Sequence, residues 1–351
     1  MRYIYLIFLF FIASCVERID FPVEREAGII VIDGTLSNED VLQQVRLGAT
    51  AASPRVPIPI SDAQVRLFDG QGNFENYVLD PIKEGTYILM GERLKGEIDK
   101  TYYIEVELAN GEIYRSRPER MLEQQAILED IYYDFSIEKE SNGQGIVFEN
   151  LYINAYIDVD MSQADSSFFL KWDVEEVFLL TPTDFPDPFG YIPPPCFVYK
   201  YPSDIDLNLF DGFQNEIPRL QRLKVGRQKI DWTFREKHYF TVRQRSMNRE
   251  AYEYWEKADN LLSAVGNIFD IPPAPLPGNL YNINDPEEEV LGYFDVSSTS
   301  LKRFRTFRED IPLDQILECL YSPSKRFDAY PDYCLDCLSV RNSTHTRPDF
   351  F

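Results

Sequence analysis

The chain has 351 residues, 44% of them hydrophobic and 14% aromatic, and a formal net charge of −23. That length suits two domains with real cores better than one. So acidic a chain repels phosphate backbones and anionic head groups, which argues against nucleic-acid binding and against membrane attachment through a basic face.

The first fifteen residues read MRYIYLIFLFFIASC. Arg2 supplies a short positive region, Ile4 to Ile12 an unbroken apolar run, and Ala13 and Ser14 are small residues before Cys15. This order is an export signal. Ile12-Ala13-Ser14-Cys15 reads as a lipobox and makes Cys15 the predicted lipidation site; a plain signal peptide with a chance cysteine, or a short membrane anchor, is the alternative. The run falls short of the ~20 apolar residues that span a bilayer comfortably. Several acyl chains, each buried methylene contributing about 0.8 kcal/mol, anchor a chain stably. The expected organisation is a signal peptide over 1–14, an acylated tether over 15–27, a β-sandwich domain over 28–118 and a larger β-rich domain over 119–351.

Strand signals follow the tether. Gly28 to Asp33 is β-branched, Val41 to Leu47 alternates loosely, and Ala49 to Ser61 is a proline-bearing loop. Ala63 to Phe68 alternates and runs into Asp69-Gly70, a hairpin signal. Asn76 to Leu79, Gly85 to Leu89, Thr101 to Leu108 and Ile113 to Ser116 continue the series, with Asn110-Gly111 as another tight turn. Short strands at this spacing predict a sandwich. The order Ala63-x-Val65, Asp69-Gly70, Gly85-x-Tyr87, Gly96, Tyr102-x-Ile104, Asn110-Gly111 resembles carboxypeptidase-regulatory-like and transthyretin-like sandwiches, which implies an interaction or spacer module without a catalytic group.

Pro118 to Gln125 reads as a boundary and Ile137 to Gly145 as a loop. Leu151 to Val159 and Phe168 to Leu180 predict long strands. Gln228 to Phe234 and Tyr239 to Arg245 predict a strand pair, with His238 near the turn. The one convincing helix spans Met247 to Val265, where Met247, Ala251, Trp255, Ala258, Leu262 and Val265 recur at steps of three and four, with Ser246 or Asn248 as cap. Ile271 to Gly278 is a rigid crossing loop. Val290 to Val296 and Leu301 to Phe307 predict strands. Beyond Cys15, the four cysteines Cys196, Cys319, Cys334 and Cys337 are an even set in an exported chain, so two disulfides are expected, in any of three connectivities, stapling a loop-rich tail. Cys334-x-x-Cys337 as a redox motif and zinc held by the four cysteines are the alternatives.

Several stretches together resemble one family. They are Ile19-Asp20, Ile30 to Gly34, Tyr254-Trp255, Gly266 to Asp270, Pro277 to Leu280, Asn282 to Asp285, Val290 to Phe294, Cys334 to Cys337 and Arg347 to Phe350. The family is domain of unknown function 4249, lipoproteins of the Bacteroidota. The tail departs from its pattern: Val340 to Ser343 stands where a Gly-Gly is frequent, and Phe350-Phe351 where a Trp closes the family motif. The resemblance implies an outer-membrane location and frequent genetic association with TonB-dependent receptors. It implies no established activity.

Chemistry-bearing residues are sparse. The only histidines are His238 and His345, and no G-x-S-x-G elbow or H-E-x-x-H motif is present, so no catalytic residue is assigned. Asp158 and Asp160 share a strand face, where solvated acids are the ordinary reading and a glycosidase pair the sharper one. Asn282, Asn284, Asp285 and Glu287 offer oxygen ligands of the kind calcium takes, without EF-hand spacing; an Asx-rich turn accounts for them equally. Phe185 to Pro202 combines prolines with Phe185, Phe189, Tyr191, Phe197 and Tyr199 and reads either as a partner-binding loop or as a loop packed on its own domain. The resulting expectation is a non-enzymatic, cofactor-free lipoprotein of the outer membrane, periplasmic or at the cell surface. Its expected partner is a TonB-dependent receptor or another β-barrel. An independent surface binder of glycan or peptide is the second reading, and a carboxylate-based hydrolase the third.

Overall fold

The computed structural model describes residues 28–51, 57–142, 145–164, 168–185, 193–200, 207–214, 217–264, 276–312 and 317–351. Cys15, Phe189 and Tyr191 lie outside them, as do the signal, the tether and Gly266 to Asp270.

The protein is mainly β. The first part holds β1 (Ile30–Ser37), β2 (Gln43–Ala49), β3 (Ile58–Pro59), β4 (Gln64–Asp69) and β5 (Phe74–Asn76). It continues with β6 (Val78–Leu79), β7 (Thr86–Leu89), β8 (Thr101–Glu107), β9 (Ile113–Ser116) and β10 (Glu119–Arg120). Then come β11 (Ile127–Ser141), β12 (Val147–Asp160), β13 (Phe169–Leu180), β14 (Cys196–Lys200), β15 (Asn208–Asp211) and β16 (Arg219–Lys229). After β17 (His238–Met247) the long helix Arg249–Ala264 leads to β18 (Leu280–Asn282), β19 (Val290–Leu291), β20 (Phe294–Arg305) and β21 (Ser343–Thr344).

Two sheets enclose the first core. β1, β2 and β7 contribute Ile32, Leu36, Val45, Leu47 and Tyr87; β4, β8 and β9 contribute Val65, Leu67, Ile104, Val106 and Tyr114. Alternate residues of each strand point inward, the period-two burial a half-covered strand requires. The second core lies between β13, β17 and β20 on one side and the three-stranded sheet β11-β12-β16 on the other, with Trp172, Val174, Val242, Ile153 and Ile157 between them.

The halves are not consecutive blocks of sequence. β18 pairs with β9 and β19 with β1, so residues 280–291 return to the first half. β20 then joins the halves. Its first residues run parallel to β1, from Gly34↔Phe294 to Ser37↔Ser297, and its later ones pair antiparallel with β17, from Ser246↔Ser298 to Tyr239↔Arg305. One twelve-stranded sheet therefore runs through the molecule.

Three local expectations need correction. Ile137 to Ser141 is not loop but the outer end of β11, paired residue for residue with β12 as far as Ser141↔Val147. Residues 228–234 do not pair with 239–245. β16 ends at Lys229 and pairs with β12; Asp231 then accepts hydrogen bonds from the Thr233 amide at 2.9 Å and hydroxyl at 2.7 Å, turning the chain into a short 3-10 helix. β17 pairs instead with β13 and β20. The helix begins at Arg249 rather than Met247, while its cap is the expected Asn248, whose side chain accepts from the Ala251 amide at 2.7 Å.

Candidate functional site

Where the returning segment meets β10 and the start of the long helix, two glycines let backbones touch. A Cβ on Gly278 would lie 1.6 Å from the Gly292 carbonyl oxygen, and one on Gly292, whose φ is +95°, would lie 2.0 Å from that of Ile32. Between them Asn279 is fully committed. Its amide nitrogen donates to the Phe294 carbonyl and to Glu119 Oε1, both at 2.8 Å, and its oxygen accepts from the Phe294 amide at 2.9 Å. The Tyr293 hydroxyl donates to the same Glu119 oxygen.

Glu119 is 5% exposed and lines a cleft of about 630 Å³. Its second carboxylate oxygen, Oε2, is closed off from solvent and accepts no hydrogen bond. Burial raises its pKa to about 7, against the hydrogen bonds of Tyr293, Asn279 and Asn248 and with the help of the Asp295 charge. Tyr254 and Tyr293 form an aromatic wall, ring centroids 4.7 Å apart. Asn248, Glu250, Glu253 and Lys257 approach from the helix, Arg117 and Arg120 from the strand side. A buried acid shifted toward neutrality in a cleft makes this the candidate binding site.

A charged layer continues beside it. Asp173 accepts from Arg245 Nε at 2.6 Å and lies 3.1 Å from Lys171 Nζ. Burial works against its charge, but Lys171 and Arg245 hold its pKa down at about 2. Lys171 also sits 4.1 Å from the Trp255 ring centroid, a cation–π contact that ties the helix to β13. Asp295 is buried and shifted upward by burial, partly offset by Arg245 and Lys171.

The residues singled out from the sequence lie elsewhere. Cys196 is bonded to Cys337 and Cys319 to Cys334, so the two cysteines of the C-x-x-C belong to different bridges and none of the four is a free thiolate for zinc or redox exchange. His345 Nδ1 stands 3.7 Å from Cys196 Sγ and 3.0 Å from the Pro195 carbonyl. His238 is fully buried, 3.0 Å from Glu176 and stacked on Phe234 at 4.1 Å, a core histidine. Asp158 accepts from the Tyr132 hydroxyl at 3.0 Å and the Arg222 amide at 2.8 Å, and Asp160 from the Ser162 amide at 2.9 Å, so both serve local structure.

In the 282–287 loop, Asn282 Oδ1 accepts from the amides of Asn284 at 2.8 Å and Asp285 at 3.4 Å, and Asp285 Oδ1 from that of Glu287 at 3.3 Å. These oxygens hold an Asx turn rather than converging on one point. The aromatic loop is likewise committed to its own chain where it is described. Phe185 packs against Phe327 and Tyr330, each at 5.1 Å, while the neighbouring Thr183 bonds the backbones of Cys334 and Cys319. Phe197 is buried in β14 against Phe351, and Tyr199 is half-buried in the same strand. Phe351 covers Phe197 and the Tyr199 amide donates to the Asn342 carbonyl, contacts that agree with a loop packed on its own domain at the described residues.

Glu119 was not legible from the sequence. It is one of 58 acids, it sits in a stretch read as a boundary, and its partners Asn279 and Tyr293 are 160 and 174 residues away.

Two solved structures give a measure of likeness. A DUF4785 family protein from Legionella pneumophila subsp. pneumophila is 13% identical over 62% of this chain and 52% of its own, with a TM-score of 0.18. The tetra-tandem repeat in the extending region of a large adhesion protein is 12% identical over 64% of this chain and 46% of its own, also with a TM-score of 0.18. This chain spans about half the length of each, and at such scores neither likeness bears on fold or function. No curated protein matches the chain. The model of a domain of unknown function, DUF4249, matches residues 16–303, which include Glu119, Asn279 and Tyr293, and the chain belongs to that family.

Proposed function

We propose that the protein is a lipid-anchored outer-membrane accessory protein, non-enzymatic, that works beside a TonB-dependent β-barrel receptor in uptake or envelope assembly. The signal and lipobox support export and acylation at Cys15. Two disulfides suit an oxidising compartment outside the cytoplasm.

The observation that carries the partner reading is the hairpin of β11 and β12. Near the body, one face of this hairpin supplies Ile153, Ala155 and Ile157 to the core. The same face continues outward to Phe135, Ile137 and Val147, which are exposed, as are Ile146 just before β12 and Phe148 on the opposite face. Apolar side chains on a paired, ordered hairpin offer contact area at little entropic cost. Anchoring in one membrane would raise the effective concentration of a barrel embedded in it. Deleting the gene tests the reading: impaired receptor assembly or cargo uptake is expected, and unchanged assembly and uptake contradict it.

The cleft over Glu119 favours a second reading, an independent cell-surface binder of glycan or peptide. Only this version binds its ligand without the barrel.

A further inference from the structure

The cleft over Glu119 has a chemistry that narrows what it can hold. Tyr293 and Asn279 both donate to Oε1, while Oε2 is shielded and makes no well-formed hydrogen bond, the Asn248 side chain being the one polar neighbour that favours the charged form besides those two. A buried carboxylate in that state lacks a cation or a further donor. Among the described residues no positive side chain bonds it. Arg120 is 2.8 Å from Asp99, and Lys171 and Arg245 are spent on Asp173. Asp295 lies close enough to push Glu119 further toward its neutral form.

The remaining walls agree. The long helix points its N-terminal turns at the cleft, an end that attracts anions, but Glu250 and Glu253 already stand there. Arg117 and Lys257 are the counterweights at the rim. The rings of Tyr254 and Tyr293 present π-faces, which attract cations. A second anion would add to the cost of Glu119 and Asp295, whereas an ammonium group relieves it.

We propose that this cleft binds an amine-bearing ligand whose ammonium group docks on Oε2 of Glu119 beside the rings of Tyr254 and Tyr293. Oε2 is shielded from solvent, so docking on it requires the cleft wall to move. The inference rests on reading the cleft as a binding site and is independent of any barrel partner.

Calorimetry on the full chain in detergent micelles at pH 7 tests it with three probes of one shape: 2-phenylethylamine, its N-acetyl derivative and 2-phenylethanol. The amine is expected to bind at least tenfold more tightly than the two neutral probes. Its binding should release protons, read from buffers of different ionisation heat, because burial keeps a fraction of Glu119 protonated at that pH. Glu119→Gln keeps an acceptor for Tyr293 and Asn279, and should abolish both the amine preference and the proton release. Tyr254→Ala leaves the Glu119 clamp intact and should weaken all bound probes. Equal binding of amine and alcohol, or an amine preference that survives Glu119→Gln, overturns the ligand class while leaving the cleft as a site. Absence of binding by every probe, or binding that Tyr254→Ala leaves unchanged, overturns the cleft itself.

Discussion

Glu119 titrates near neutrality because burial outweighs the two donors on Oε1, and this gives the fold a defined pH response. Its folded pKa, about 7, lies above the ordinary 4.5. Between those values the native state binds more protons than the unfolded chain, so its contribution falls as pH rises through the window and is fully lost above about pH 7. The loss is about 3 kcal/mol at one pKa unit per 1.36 kcal/mol. Urea midpoints at pH 5 and pH 8 should therefore converge in Glu119→Gln relative to the native chain; an unchanged pH slope would show that Glu119 is solvated. Asp173 acts in the opposite sense: its depressed pKa stabilises above the ordinary carboxylate value and is lost only as pH falls toward about 2. The glycine contact is less forgiving. Gly278→Ala has no room for its methyl against the Gly292 backbone and should cost more than about 3 kcal/mol, measured by the same melts. Pro277 to Leu280 and Val290 to Phe294 stood out in the sequence as family motifs, yet their purpose was invisible there. It depends on contacts with Ile32, Glu119 and Tyr254 that only the folded chain creates.

At the scale of elements, the two bridges close loops of very different length. Cys196–Cys337 spans 141 residues and Cys319–Cys334 spans 15. On a chain-entropy basis the longer bridge contributes about 2 kcal/mol more. Replacing both cysteines of the longer pair by serine should lower the urea midpoint more than replacing both of the shorter pair, and the reverse order would indicate that strain or residual unfolded structure dominates. The hairpin carries a different expectation. Ile137→Ser with Val147→Ser removes exposed apolar surface outside the core and should change stability by less than about 1 kcal/mol while weakening partner recovery. A large stability loss would place those residues in a structural role. The short strands of the first half were legible because alternation and tight turns such as Asp69-Gly70 are local signals. The pairing of β20 with β1 was not, since it joins residues about 260 positions apart and leaves no periodic trace in either strand. The outer end of β11 was misread because Glu138, Lys139 and Glu140 look like a solvated loop. In the fold their charges are paired across strands, Glu138 and Glu140 with Arg227 and Lys139 with Glu149.

For the whole molecule, one continuous sheet makes the halves a single structural unit, with the charged layer of Lys171, Asp173 and Arg245 on one face and the hairpin sheet packed on the other. Such a body can hold the Glu119 cleft and the exposed hairpin tip in fixed register, which suits a protein that presents surfaces to a neighbour. The most direct measurement is a tagged pull-down of the full chain from native outer membranes in mild detergent, read by mass spectrometry. A stoichiometric β-barrel receptor in the eluate, reduced by the Ile137→Ser/Val147→Ser pair, is the expected result. Recovery of this chain alone, under conditions that preserve other membrane complexes, would contradict the partnership.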